Sequence, residues 1–126
     1  MSFLKGLGAS RVALVGHSFG GAVVIKAGEL SPIVSAVAAL SSQRFGTSTV
    51  ENLSPKPLLL VHGTGDTVLL PAASEDIYKR ARDPKRLVLF EGASHSLIES
   101  EPDLSELLEE FLVGVIGPEA YERASG

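Results

Sequence analysis

The chain has 126 residues, enough for one compact domain and too few for two of ordinary size, so residues 1–126 read as a single domain. A hydrophobic share of 44% beside 21% charged residues describes a globular protein with a core, and a net charge of -4 without any basic cluster argues against nucleic acid as a partner. The absence of cysteine removes disulfides, zinc–thiolate sites and a thiol nucleophile.

Met1 to Gly8 reads as the end of a helix, with Phe3, Leu4 and Leu7 on one face and Gly6 and Gly8 closing it. One early lysine and a scrap of apolar sequence do not make a secretory leader. No later run approaches the length that spans a bilayer, so a cytoplasmic protein without a membrane partner is expected. The stretch RVALVGHSFGGAVVIKAGEL, Arg11 to Leu30, then joins a strand, a turn and a helix without a linker. Val12 to Val15 form the strand, Gly16 to Gly21 set three glycines around Ser18, and Ala22 to Leu30 form a buried helix. A serine at such a corner projects its hydroxyl from the sheet edge, and the glycines leave room for the crowded backbone. The helix N-terminus behind it favours negative charge, with the backbone N–H of Phe19 as the first oxyanion donor.

Ser31-Pro32 stops this helix, and the apolar Ile33 to Leu40 is a strand covered on both faces. The polar Ser41 to Lys56 is a loop with room for one helical turn, too short for a lid, so the site should be open. Pro57 to His62 forms the next strand and Gly63-Thr64-Gly65-Asp66 its outgoing turn. A helix from Pro71 to Arg82 carries Glu75 and Asp76 early and Lys79, Arg80 and Arg82 late, matching the helix dipole, before Asp83-Pro84 ends it. Arg86 to Phe90 is the fourth strand, followed by the turn holding His95. Glu101-Pro102-Asp103 opens the last helix, whose Leu104, Leu107, Leu108, Phe111, Leu112, Val115 and Ile116 form a core-facing stripe. Gly117-Pro118 stops it, and Glu119 to Gly126 is a polar tail. Alternating strands and helices predict an α/β fold with a short, mostly parallel sheet of about four strands flanked by helices. Ligands bind such sheets beyond the carboxyl ends of the strands, where Ser18, Asp66 and His95 all fall.

At these residues the chain resembles the α/β-hydrolase superfamily. GHSFGG is similar to its nucleophile elbow, nearest to small esterases and dienelactone-hydrolase-like members. VHGTGDTVLLP places Asp66 where the family keeps its acid, LFEGASHSL places His95 where it keeps its base, and the order Ser, Asp, His is the family's own. The resemblance implies a serine hydrolase of small carboxylic esters that needs no cofactor or metal. In it Ser18 attacks the carbonyl to give an acyl-enzyme, His95 moves the proton and Asp66 holds the imidazole. The rate is expected to rise with pH as His95 loses its proton.

The resemblance covers the C-terminal half of that fold, a truncated α/β-hydrolase without the usual first four strands and the loop that completes the oxyanion hole. The elbow strand would then be a sheet edge, with Val12, Leu14 and Val15 uncovered on one face. A homodimer through that strand, or a complementary chain supplying the N-terminal half, would repair both. The second oxyanion donor would come from Ser41, Ser42, Gln43 or the partner chain. A different class of function is a noncatalytic domain that keeps the triad by descent and acts only in assembly.

Each residue also has a plainer explanation. Ser18 could be a helix cap, Asp66 a turn residue with Glu91 as a rival acid, and His95 an exposed loop histidine. His17 is expected to point away from Ser18, and both His17 and His62 to be structural. The histidines lack metal-site spacing, and Gly63-x-Gly65 is a weak dinucleotide-loop echo without a third glycine.

Overall fold

The computed structural model describes residues 3–8 and 11–117. Five strands form one sheet in the order β1-β2-β3-β4-β5: Phe3–Gly8, Arg11–His17, Val34–Leu40, Leu58–Gly63 and Lys85–Phe90. The pairs β2–β3, β3–β4 and β4–β5 are parallel, giving the expected four-stranded parallel sheet.

The first element differs from expectation. Phe3–Gly8 is a strand, antiparallel to β2, with Phe3 opposite Gly16 and Gly8 opposite Arg11. Gly6 and Gly8 disfavour a helix, while pairing gives the backbone polar groups of β2 partners on that side. The elbow strand is therefore an interior strand. Its apolar residues are not bare either: Ala13 and Val15 are buried in the cluster beneath α3, and Leu14 packs against the opposite cluster. Residues 118–126, read as a helix stop and polar tail, lie outside the described residues.

Helices cover both faces. α1 spans Phe19–Leu30, α2 Ala72–Arg80 and α3 Glu101–Ile116. Because side chains alternate along a strand, β3 and β4 feed two separate cores. Val37, Ala39, Leu58 and Leu60 pack with Val24 and Ile25 of α1 and Ile77 of α2. Ala36, Ala38, Leu40, Leu59 and Val61 pack with Leu107 and Leu112 of α3. The small residues of β3 let helices approach the sheet closely. The loop after β3 holds a short 3₁₀ turn, Val50–Leu53, whose Val50 and Leu53 plug the α1–α2 side. All three crossovers between parallel strands pass on that same face, so the chain advances one strand at a time. Each of the four parallel strands then ends at the same rim.

Candidate active site

Ser18 sits at that rim between β2 and α1, at φ 60 and ψ -124, a strained region for a residue with a side chain. The surroundings hold it there: Ser18 N–H donates to Leu40 O at 2.8 Å, and Gly21 N–H donates to Ser18 O at 2.9 Å. The turn is tight enough that a Cβ on Gly16 would lie 2.2 Å from the backbone oxygen of Gly20. α1 begins at Phe19, three residues earlier than a buried-helix reading from Ala22 suggests, and its first N–H groups have no acceptor within the helix.

Asp66 follows β4 and is buried. The N–H groups of Val68 and Leu69 each donate to its Oδ1 at 2.8 Å, an Asx-type turn that fixes the carboxylate plane. The plain explanation of Asp66 as a turn residue is thus also true. The other oxygen, Oδ2, lies 2.7 Å from Nδ1 of His95, whose Nε2 is 2.9 Å from Ser18 Oγ. Carboxylate, imidazole and hydroxyl form one hydrogen-bonded line across residues far apart in sequence. Glu91, the rival acid, is exposed and makes no contact with His95 in this arrangement.

Burial alone would raise the Asp66 carboxyl. The hydrogen bond from His95, the N–H groups of Leu69 and Val68 and the positive charge available on His95 outweigh it, so its pKa falls below the ordinary value of 3.8. A carboxyl depressed by folding contributes stability that is fully present above its unfolded pKa and disappears as pH falls through the lower, folded one. The native protein is accordingly expected to lose stability below about pH 4. Asp66→Asn should flatten that acid limb in denaturant titrations followed by circular dichroism. An unchanged limb would assign the acid loss to other carboxylates.

His95 is held by its main chain as well as its ring. Its carbonyl accepts Ser41 Oγ–H at 2.9 Å and His17 Nε2–H at 2.8 Å, and the His17 and His95 rings lie 4.9 Å apart. His17 therefore plays a structural part, turned toward the loop of His95. The exposed Glu99 accepts the N–H and hydroxyl of Ser94 at 3.1 and 2.9 Å, bracing the same loop from outside. The Ser94 N–H heads the contacts that hold the Glu99 carboxyl below its usual value. Sequence reasoning misses Ser41 and Glu99 as supports. The Ser41 contact spans 54 positions and leaves no local pattern, whereas Glu99 stands five residues from Ser94 in a Ser-rich turn.

Both Ser41 donors are already committed, N–H to Val61 O and O–H to His95 O, so Ser41 is not the second oxyanion donor. Ser42 Oγ–H is turned to Gln43 O. Among the described residues no cluster of three His, Asp or Glu side chains could hold a metal ion, and no helix is long and apolar enough to cross a membrane.

A cleft of about 1020 Å³ opens between the loop after β3 and the segment leading into α2. Its walls begin two residues beyond Ser41 and two beyond Asp66. Phe45, Val68 and Leu70 line it and are 84%, 69% and 63% exposed, an apolar surface facing solvent. The loop from Ser41 to Lys56 builds one wall of this cleft and does not roof it.

Comparison with known proteins follows the same residues. The family described as serine aminopeptidase, S33 matches residues 34–103, which include Asp66 and His95. The chain is 27% identical to the uncharacterized protein YfhR of Escherichia coli over 135 aligned positions, covering 86% of this chain and 48% of that protein. It is 39% identical to caffeoylshikimate esterase of Arabidopsis thaliana over 62 positions, 48% of this chain and 17% of the esterase. Among solved structures, a CIB-like hydrolase from Thermoplasma acidophilum superposes with a TM-score of 0.73 at 26% identity, covering 84% of this chain and 52% of that one. The chain thus spans half or less of the length of the curated relatives it matches.

Proposed function

This chain belongs to the serine aminopeptidase S33 family of α/β hydrolases, and from that premise we propose that it cleaves small carboxylic esters through an acyl-enzyme on Ser18. The carrying observation is the line from Asp66 through His95 to Ser18, with both links at hydrogen-bond length. A serine hydroxyl is a poor nucleophile at neutral pH and needs a base within reach. His95 Nε2 takes the Ser18 proton as the carbonyl is attacked and returns it to the leaving alcohol; water then repeats the sequence to release the acid. Asp66 keeps the Nδ1 proton on the imidazole and stabilises the imidazolium as it forms. The Phe19 N–H at the head of α1 receives the oxyanion.

The open apolar cleft is lined by neither Ser18 nor His95, so it favours substrates whose compact apolar acyl or alcohol group extends from Ser18 along the loop after β3. The test is a short-chain nitrophenyl ester together with a fluorophosphonate probe. Saturable turnover and one phosphonate adduct, mapped by mass spectrometry to Ser18, are expected. Turnover without any adduct on Ser18 would move the chemistry elsewhere.

A role for assembly is favoured by the commitment of both Ser41 donors. With Ser41 excluded, the second oxyanion N–H would come from Ser42, Gln43, a second copy or a complementary chain, and the cytoplasm is the proposed setting. Pairing edge to edge at the elbow strand is not the route, because β1 occupies that position. If a second copy completes the hole, activity per chain rises with protein concentration as the dimer forms. Constant specific activity from a monomer would rule out the second copy.

A further inference from the structure

His62, at the end of β4, is fully buried directly beside the acid. Its Nε2 lies 2.7 Å from Leu69 O and 3.0 Å from Asp66 Oδ2, and its Nδ1 lies 2.6 Å from Oγ of Ser74, itself buried on α2. Leu69 O and the Asp66 carboxylate can only accept, so Nε2 must carry a proton: a lone pair there would face two oxygens. Nδ1 is then free to accept the Ser74 hydroxyl, and the neutral ring is satisfied at both ends.

We propose that His62 is a positioning residue for the acid: its Nε2–H donates to Leu69 O and so holds the 66–69 turn whose N–H groups fix the carboxylate that orients His95. This rests on the hydrolase reading and deepens it. Two N–H groups hold Oδ1, but Oδ2 otherwise meets only the His95 ring it has to steer. His62 supplies a fixed donor to Leu69 O from a rigid strand, and Leu69 in turn donates its N–H to Oδ1. The 66–69 turn is therefore clamped from the core. When that turn loosens, the carboxylate stands less squarely on Nδ1, its hold on a charged His95 weakens, and the ring would titrate at lower pH. The other titratable groups around that ring are His17, whose ring is 4.9 Å away, and Glu99, bonded to Ser94 in the same loop.

The test compares His62→Gln with His62→Asn in the full chain. A glutamine amide nitrogen reaches about as far as Nε2 of histidine, whereas an asparagine amide reaches only as far as Nδ1. Glutamine therefore keeps the donor to Leu69 O, and asparagine keeps only the contact with Ser74. For His62→Asn, kcat on a nitrophenyl ester is expected to fall about 10- to 100-fold with KM within about twofold, because misplacement near the reacting groups costs turnover more than binding. The midpoint of the His95 ring titration, followed by NMR, should move downward. For His62→Gln, kcat should return to within about threefold of native and the midpoint should return with it. Native kcat and midpoint in both variants, or equal losses in both, would overturn the assignment.

If asparagine does not fold, Ser74→Ala serves in its place, since it releases the ring at Nδ1 with little change in volume. Lower kcat with a lowered His95 midpoint is expected, and native values in both would overturn the proposal. A native protein without ester turnover would defeat the hydrolase reading. The His95 midpoint would still report on His62.

Discussion

Replacing Ser18 by alanine should reduce ester turnover at least ~10³-fold, about 4 kcal/mol of transition-state stabilisation, while leaving the unfolding midpoint nearly unchanged. The hydroxyl oxygen makes its hydrogen bond to His95 Nε2, and the backbone bonds of Ser18 to Leu40 and Gly21 persist in alanine. Alanine meets about the same strain at φ 60 as serine does. The loss would therefore be chemical, because among the described residues no other hydroxyl is bonded to His95 Nε2. His95→Ala should cost a similar factor, and the double variant little more than either alone, since a nucleophile without its base and a base without its nucleophile are equally idle. Additive losses would mean that Ser18 and His95 act in separate steps. A fully active Ser18→Ala would end the esterase reading.

Gly63→Ala should be among the most damaging single methyl groups that could be added to the described residues. A Cβ at Gly63 would lie 2.1 Å from the oxygen of Ala93 and 2.6 Å from its carbonyl carbon, so backbone rather than a pliable side chain must move. That contact is the seam between the two loops of the site. Gly65 N–H donates to Ala93 O at 3.0 Å and Thr64 N–H to Phe90 O at 3.0 Å, with Asp66 one residue beyond one side and His95 two beyond the other. Overpacking of this kind costs about 1–3 kcal/mol of stability. A displacement near 1 Å at His95 is expected to lower turnover about 10²-fold. Gly114→Ala is the matched control: it lies in α3 with nothing within 4 Å of the added methyl, and helix propensity makes it stabilising by up to about 1 kcal/mol with full activity. Native turnover in Gly63→Ala would show that the two loops tolerate movement.

The elements themselves were legible in the chain. Helix α3 announces itself by an apolar stripe and by Glu101, Pro102 and Asp103 in its first turn, and it spans Glu101–Ile116 as the stripe predicts. The four parallel strands follow from short apolar runs such as LLLVH, each closed by a glycine or polar turn. Phe3–Gly8 misled because three apolar residues and two glycines fit a frayed helix and a strand alike, and only pairing with β2 separates them. Such pairing is invisible locally.

The sequence by itself determined the class of fold, the sharp turn at Ser18 and the identity of the three residues that end three strands, because periodicity and glycine spacing are local properties. Tertiary structure alone decided what touches what. It brought Ser41 and His17 to the carbonyl of His95, set His62 and Ser74 beneath Asp66, and committed the donors of Ser41. Those contacts join residues that share no local pattern along the chain. Their geometry depends on how far each parallel strand runs before it turns, which the register between strands fixes and the residues of a single strand do not.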